Sequence, residues 1–141
     1  MIEKTMFFLK PEANPHVIEI VARITEAGLN VEPRGRLALS AWALKRLYPG
    51  LSEKLQEATN RHLLDAHVFV YAVSGENAIN LLVDLAGRNV NPKKCGPKTI
   101  RRLYGSKQPI AIGPGLFYYR NGIHRPQNAE EAARDLALFF G

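Results

Sequence analysis

Apolar residues follow two periods along this chain, and the switches between them mark its elements. Thr5-Met6-Phe7-Phe8-Leu9 is an unbroken apolar run closed by Lys10-Pro11, which predicts a buried strand. From His16 to Ala27 the apolar residues Val17, Ile20, Val21, Ile24 and Ala27 recur at helical spacing, and Gly28 supplies the stop. Leu29, Val31, Leu37 and Leu39 return to a period of two, broken by Pro33 and Gly35, which predicts an irregular or edge strand. Ser40 and Ser52 are placed to cap two further helices, the second running to about Leu64. His67 to Val73 reads as another buried strand, and Gly75 opens a helix over Glu76–Ala86.

Past Ala86 the periodicity fades. Residues 88–98 read as a basic loop, Thr99–Tyr104 as a helical turn, and 105–115, with three glycines and two prolines, as a second irregular excursion. Leu116–Tyr119 is the last predicted strand. Asn128 followed by Glu131 resembles a capping box before a terminal helix, Ala129–Phe140. The order β-α-β-(αα)-β-α-β-α fits a ferredoxin-like α+β sandwich with a four-stranded antiparallel sheet, as a single domain over residues 1–141. That fold serves many functions, so function must be read from side chains.

Composition narrows the classes. At 46% hydrophobic and 23% charged residues the chain is globular in character, not disordered. A net charge of +6 favours anionic partners without choosing among them. The one cysteine, Cys95, excludes an internal disulfide framework and a multi-cysteine metal site. The apolar runs fall short of a membrane span, and the N-terminus lacks the pattern of a signal peptide, so a cytoplasmic protein is expected.

His16, His62 and His67 lack metal-ligand spacing and are read as structural or solvated. His124 leaves a predicted strand for a loop, and Asp135 lies on the helix behind it. A carboxylate that fixes the tautomer of an imidazole makes it a nucleophile. Taken alone, these residues favour a surface histidine after a turn over a nucleophile. Lys10 at a strand end, Arg101, and the cations Arg88, Lys93, Lys94 and Lys98 would suit a di- or triphosphate if they converged. Gly113-Pro114-Gly115 lacks the lysine and spacing of a P-loop.

Taken in order, Lys10-Pro11-Glu12, Tyr48, Gly75-Glu76-Asn77-Ala78, Thr99-Ile100-Arg101, Asn121-Gly122-Ile123-His124 and the terminal helix resemble the nucleoside diphosphate kinase family over nearly the whole chain. The resemblance implies a ping-pong kinase that moves the γ-phosphate of a nucleoside triphosphate onto a nucleoside diphosphate through a phosphohistidine. Mg²⁺ would bridge the nucleotide phosphates, with no metal ligand assigned to the protein. By resemblance His124 is the nucleophile and Asp135 stands where the family has a histidine-orienting glutamate, reached by a small shift or a water. Lys10, Tyr48, Arg101 and Asn121 match positions that contact the nucleotide or the histidine. The resemblance also implies a homo-oligomer, a tetramer or hexamer.

The departures are local. The family's Asn-x-x-His-Gly-Ser-Asp becomes His124-Arg125-Pro126-Gln127, so an arginine replaces a small glycine and a proline removes an N–H donor. A family arginine aligns with Val83, and Arg88 is the candidate to replace its charge. No aromatic for stacking on the base occurs from 49 to 68, and 105–115 is longer than the family norm. The alternative is a catalytically weak nucleotide-binding module of the same fold. An RNA-binding sheet would need a Lys/Arg-Gly-aromatic run that His67-Val68-Phe69-Val70-Tyr71 lacks, so nucleic acid is not an expected partner.

Overall fold

In the computed structural model, which describes residues 1–140, strand β1 (Ile2–Leu9) lies inside a four-stranded antiparallel sheet. Its neighbours are β3 (His67–Glu76) on one side and β6 (Ile123–His124) on the other, with β2 (Asn30–Ala38) outside β3. The order β2-β3-β1-β6 is that of the expected ferredoxin-like sandwich.

Successive side chains of a strand point to opposite faces, so β1 feeds two cores. Phe7 and Leu9 join Tyr71 and Val73 beneath α1 (Val17–Glu26) and α4 (Ala78–Ala86), where Ile20, Ile24 and Leu82 are buried. Met6 and Phe8 join Val68 and Val70 on the other face, under α2 (Ala41–Leu47), α3 (Glu53–Leu63) and α6 (Ala129–Phe140). Both faces are sealed, so the strand needs an apolar residue at every position from Met6 to Leu9. Each such side chain contributes about 1.5–3 kcal/mol by leaving water.

The helix starts follow the sequence. Ser40 Oγ accepts from the Ala43 N–H at 3.1 Å, Ser52 Oγ from Leu55 at 3.3 Å, and Asn128 Oδ1 from Glu131 at 2.9 Å. Thr99 Oγ1 caps α5 (Ile100–Tyr104) through the Arg102 N–H. The loop from 88 to 98 contains one 3₁₀ turn, Pro92–Lys94.

Two expectations need correction. Leu116–Tyr119 is not the fourth strand of the sheet. β5 (Leu116–Tyr118) instead pairs as a separate hairpin with β4 (Ile110–Gly113), a strand formed inside the stretch read as irregular. Two strands joined by a short Pro-Gly turn find each other at the least cost in loop entropy. The place beside β1 falls to the two residues of β6, with Phe8 opposite His124 and Leu9 opposite Ile123. The helix after Gly75 also starts later, because β3 continues to Glu76 in register with Ile2. Asn77 turns the chain at φ +53°, and Glu3 Oε1 from β1 accepts the Ile79 N–H at 3.1 Å, a cap supplied by tertiary contact. No helix among the described residues is long and apolar enough to cross a membrane.

Gly105 closes α5 where three segments meet. A Cβ there would lie 2.6 Å from Arg101 O and 3.1 Å from the Asn121 Cα, both backbone atoms that cannot swing away. Gly105→Ala is therefore expected to lower stability by about 1–3 kcal/mol in equilibrium urea unfolding; a wild-type midpoint would show that this junction is looser than described.

Candidate active site

The alternation along β6 decides what can meet His124. Sitting opposite Phe8, it shares that side chain's face of the sheet, and the two rings stack with centroids 4.7 Å apart. On that face α6 brings Asp135, wholly buried, and the end of α2 brings Tyr48. Asp135 Oδ2 accepts from His124 Nε2 at 2.8 Å, while Oδ1 accepts from Arg134 Nε at 2.9 Å. The shorter Asp thus reaches the ring directly, without a bridging water. These partners put the ring proton on Nε2 and leave a lone pair on Nδ1, which the Tyr48 hydroxyl meets at 3.1 Å. Burial pushes the Tyr48 phenol far above its ordinary pKa, so it remains a donor. His124 is 6% exposed, which disposes of the reading as a surface histidine.

Lys10 follows the last residue of β1, and its Nζ donates to Asn121 Oδ1 at 2.9 Å. The Asn121 amide in turn donates to Val90 O, which ties the basic loop to the strand. Gly122, at φ +85°, is what lets the chain pass from Asn121 into β6 while its carbonyl accepts from the Lys10 N–H at 2.8 Å. Arg101 comes from α5, donating to Gly87 O, Asn89 O and Ile123 O.

Charge dominates the electrostatics. Burial, then the charge of Arg101, lowers the Lys10 ammonium from 10.5 to about 7. Burial and Arg125 lower the Arg101 guanidinium to about 10. His124 is drawn below 6.5, first by burial and further by Lys10 and Arg101, against the pull of Asp135. Its imidazole is thereby kept neutral at physiological pH.

His124, Tyr48, Lys10, Arg101 and Asn121 line one cleft of about 320 Å³. Its other end is apolar, made by Leu51 and Leu55 on one side and Leu116 and Phe117 of the β4–β5 hairpin on the other. A broader concavity of about 430 Å³, between β2 and the end of α6, contains none of these groups. Arg88 is not brought in. It stands at the surface with its Nε on Asp84, one helical turn back, and is absent from the cleft lining. Phe117 was missed, because nothing in the sequence placed a hairpin over the cleft. Beneath that hairpin His62 bridges Glu12 Oε1, at 2.5 Å, and the Tyr118 hydroxyl, at 2.7 Å. Burial pushes the Glu12 carboxyl up, but His62 and the Gly122 N–H outweigh it and hold it below its ordinary range.

Among the described residues no three His, Cys, Asp or Glu side chains are placed to hold a metal ion. No carboxylate lines the cleft, and Asp135 and Glu12 are engaged with histidines. Lys10 and Arg101 are the charged side chains of the lining, a donor set that suits phosphate oxygens.

Comparison with known proteins agrees with this geometry. A family model described as nucleoside diphosphate kinase matches residues 3–141. A nucleoside diphosphate kinase of Bordetella avium is 32% identical over 143 aligned positions, covering 99% of this chain and 93% of the relative. One from Streptococcus thermophilus is 28% identical, with 99% of each chain covered. In solved structures, the Borrelia burgdorferi enzyme with bound vanadate and ADP superposes with a TM-score of 0.83 at 22% identity, over 99% of this chain and 88% of that one. The Aquifex aeolicus enzyme gives 0.82 at 19% identity, over 100% and 96%. At those identities the structures show the shared fold. The family match and the curated relatives carry the assignment: this chain belongs to the nucleoside diphosphate kinase family and is a phosphotransferase.

Proposed function

We propose that this enzyme transfers the γ-phosphate of a nucleoside triphosphate to a nucleoside diphosphate through a phosphohistidine at His124. The observation that supports it is the imidazole itself: Nε2 locked on Asp135, Nδ1 carrying its lone pair into a cleft walled by Lys10 and Arg101. Nδ1 attacks the γ-phosphorus, the bond from that phosphorus to the β,γ-bridging oxygen breaks, and the nucleoside diphosphate leaves with the electron pair. In the second half, a terminal phosphate oxygen of a different diphosphate attacks the same phosphorus and the P–N bond returns its pair to Nδ1. Asp135 stabilises the positive charge on the ring between the two halves. Lys10 and Arg101 hold the phosphates in line, and Asn121 holds Lys10. Mg²⁺ bound to the nucleotide supplies further neutralisation of phosphate charge.

The apolar end of the cleft takes the base. Phe117 is the phenylalanine of the lining, beside Tyr118 and Tyr119, and it and Leu55 offer the base apolar contact without donors or acceptors from these two side chains. Self-association into a tetramer or hexamer and a cytoplasmic location, with Cys95 free and buried, belong to the same reading.

With ATP, GDP and Mg²⁺, the wild type is expected to form GTP, and His124→Ala to lose at least about 10³-fold together with acid-labile labelling from γ-labelled ATP. Exchange retained in the variant would exclude the phosphohistidine. ATP binding without GTP formation in the wild type would instead leave a binding module.

The pH profile of kcat/KM reports the free enzyme. His124 must be neutral to attack and its pKa lies below 6.5, so the acid limb falls below that value. Lys10 must be charged, so the alkaline limb falls through about 7, and Lys10→Arg moves that limb upward. A flat profile from pH 6 to 9 would show that Lys10 does not titrate there.

Phe117→Ala is expected to weaken ATP and GTP binding alike, by about 5- to 100-fold in a titration, since stacking is worth about 1–3 kcal/mol for any base. Inorganic pyrophosphate, which has no base, should bind as before. Equal loss for pyrophosphate would mean that Phe117 only supports the fold.

A further inference from the structure

Arg125, next to His124 in the chain, is a charged residue that the mechanism above does not use. Pro126 behind it confines Arg125 to extended backbone, so the two-residue alternation of β6 runs one position further. His124 faces α6, whereas Arg125 is carried to the opposite side, where α4 ends. There Arg125 is buried, 8% exposed as a residue, and one terminal nitrogen of its guanidinium donates to Gly87 O at 2.9 Å. Arg101 donates to the same carbonyl at 3.3 Å. Two guanidinium groups thus converge on a single oxygen from α5 and from the catalytic strand.

Such an arrangement is costly without an anion. Among the described residues neither guanidinium forms an ion pair, and the Nε of each is buried without any hydrogen-bond partner. The charged groups around Arg125 are Arg101 and Lys10 towards the cleft, Arg88 at the end of α4 and Glu131 on α6; of these only Glu131 favours its charge. Lys10, Arg101 and Arg125, basic groups with neutral carbonyl and amide partners, form a positive well in which Lys10 and Arg101 line the cleft and Arg125 lies behind Arg101, joined to it through Gly87 O. A phosphate carries the charge and the planar arrays of acceptors that forked guanidinium groups match.

We propose that Arg125 acts with Arg101 as a paired-guanidinium site for the phosphate tail of the nucleotide. The inference rests on the phosphotransfer reading for its substrate, and it assigns to Arg125 the charge that the sequence offered to Arg88. The arginine that follows His124 is then a gain of binding charge in place of the small residue the family has there, moved from a helix to the end of the catalytic strand.

The test compares wild type, Arg125→Gln and Arg125→Lys by calorimetric titration with ADP and with inorganic pyrophosphate, and by thermal melting without ligand. Arg125→Gln should bind both ligands about 10- to 100-fold more weakly, the range of a charge-assisted hydrogen bond. Arg125→Lys should recover part of the loss. The ligand-free Gln variant should melt at or above the wild-type temperature, because a buried like-charge repulsion is gone, and in turnover KM should rise more than kcat falls. Affinities within twofold of wild type for both variants would overturn the proposal, as would a lower ligand-free melting temperature with affinity unchanged, the mark of a structural role. Should the Gln variant fail to fold, Arg125→Lys decides alone: it keeps the charge but loses the fork, and unaltered affinity overturns the paired site. A wild type that transfers no phosphate, with the loss of pyrophosphate binding still seen in Arg125→Gln, defeats the phosphotransfer reading and supports the paired site.

Discussion

The two-residue ladder between Phe8–Leu9 and Ile123–His124 fixes the imidazole around which the cleft is arranged. β1 cannot shift, because its inner residues are sealed on both faces and a slip by one would exchange the two cores. Anything hydrogen-bonded to its edge inherits that rigidity. His124 is held there by a backbone ladder, by stacking on Phe8 and by Asp135, so the ring is presented in one tautomer and one orientation. Catalysis by a covalent nucleophile depends on such placement more than on the intrinsic strength of the base.

Around that fixed ring the protein gathers positive charge and withholds carboxylates. The acidic residues close to the cleft are engaged: Asp135 with His124 and Arg134, Glu12 with His62 and the Gly122 N–H. Lys10, Arg101 and Arg125 are left with carbonyls and an amide oxygen. Burial makes this unfavourable in the empty protein, which is why Lys10 and Arg101 are drawn down to about 7 and about 10. The same burial strengthens their attraction for a polyphosphate when it enters. The hairpin, latched through Tyr118, His62 and Glu12, ties the apolar lining of the cleft to Gly122, at the start of the strand that carries His124.

Much of this was legible in the linear pattern. β1 announced itself as a run because both its faces are buried, and four helix starts carried Ser, Thr or Asn caps that needed no tertiary partner. Lys10, Tyr48, Arg101, Asn121, His124 and Asp135 were found by their order along the chain, and the structure brings them together. Arg88, which the sequence offered, stays outside the cleft, and Phe117, which it did not offer, lines it. Arg88, just past the end of α4, pairs with Asp84 in the last turn of that helix, a local pairing that its distance from His124 in sequence does not show. Phe117 lies at the cleft only because its strand joins the β4–β5 hairpin rather than the main sheet.

What the sequence determined by itself is therefore the local part: element type, cap, period and the identity of the chemically competent side chains. These depend on neighbours within a turn or two of the chain, where spacing is geometry. The tertiary structure alone decided which strand takes the edge of β1, which face each side chain of β6 meets, and which cations share an oxygen. Those outcomes hang on competition between distant segments for the same hydrogen bonds and the same buried volume, as when Ile123–His124, and not Leu116–Tyr118, closes the sheet and turns Arg125 towards Gly87.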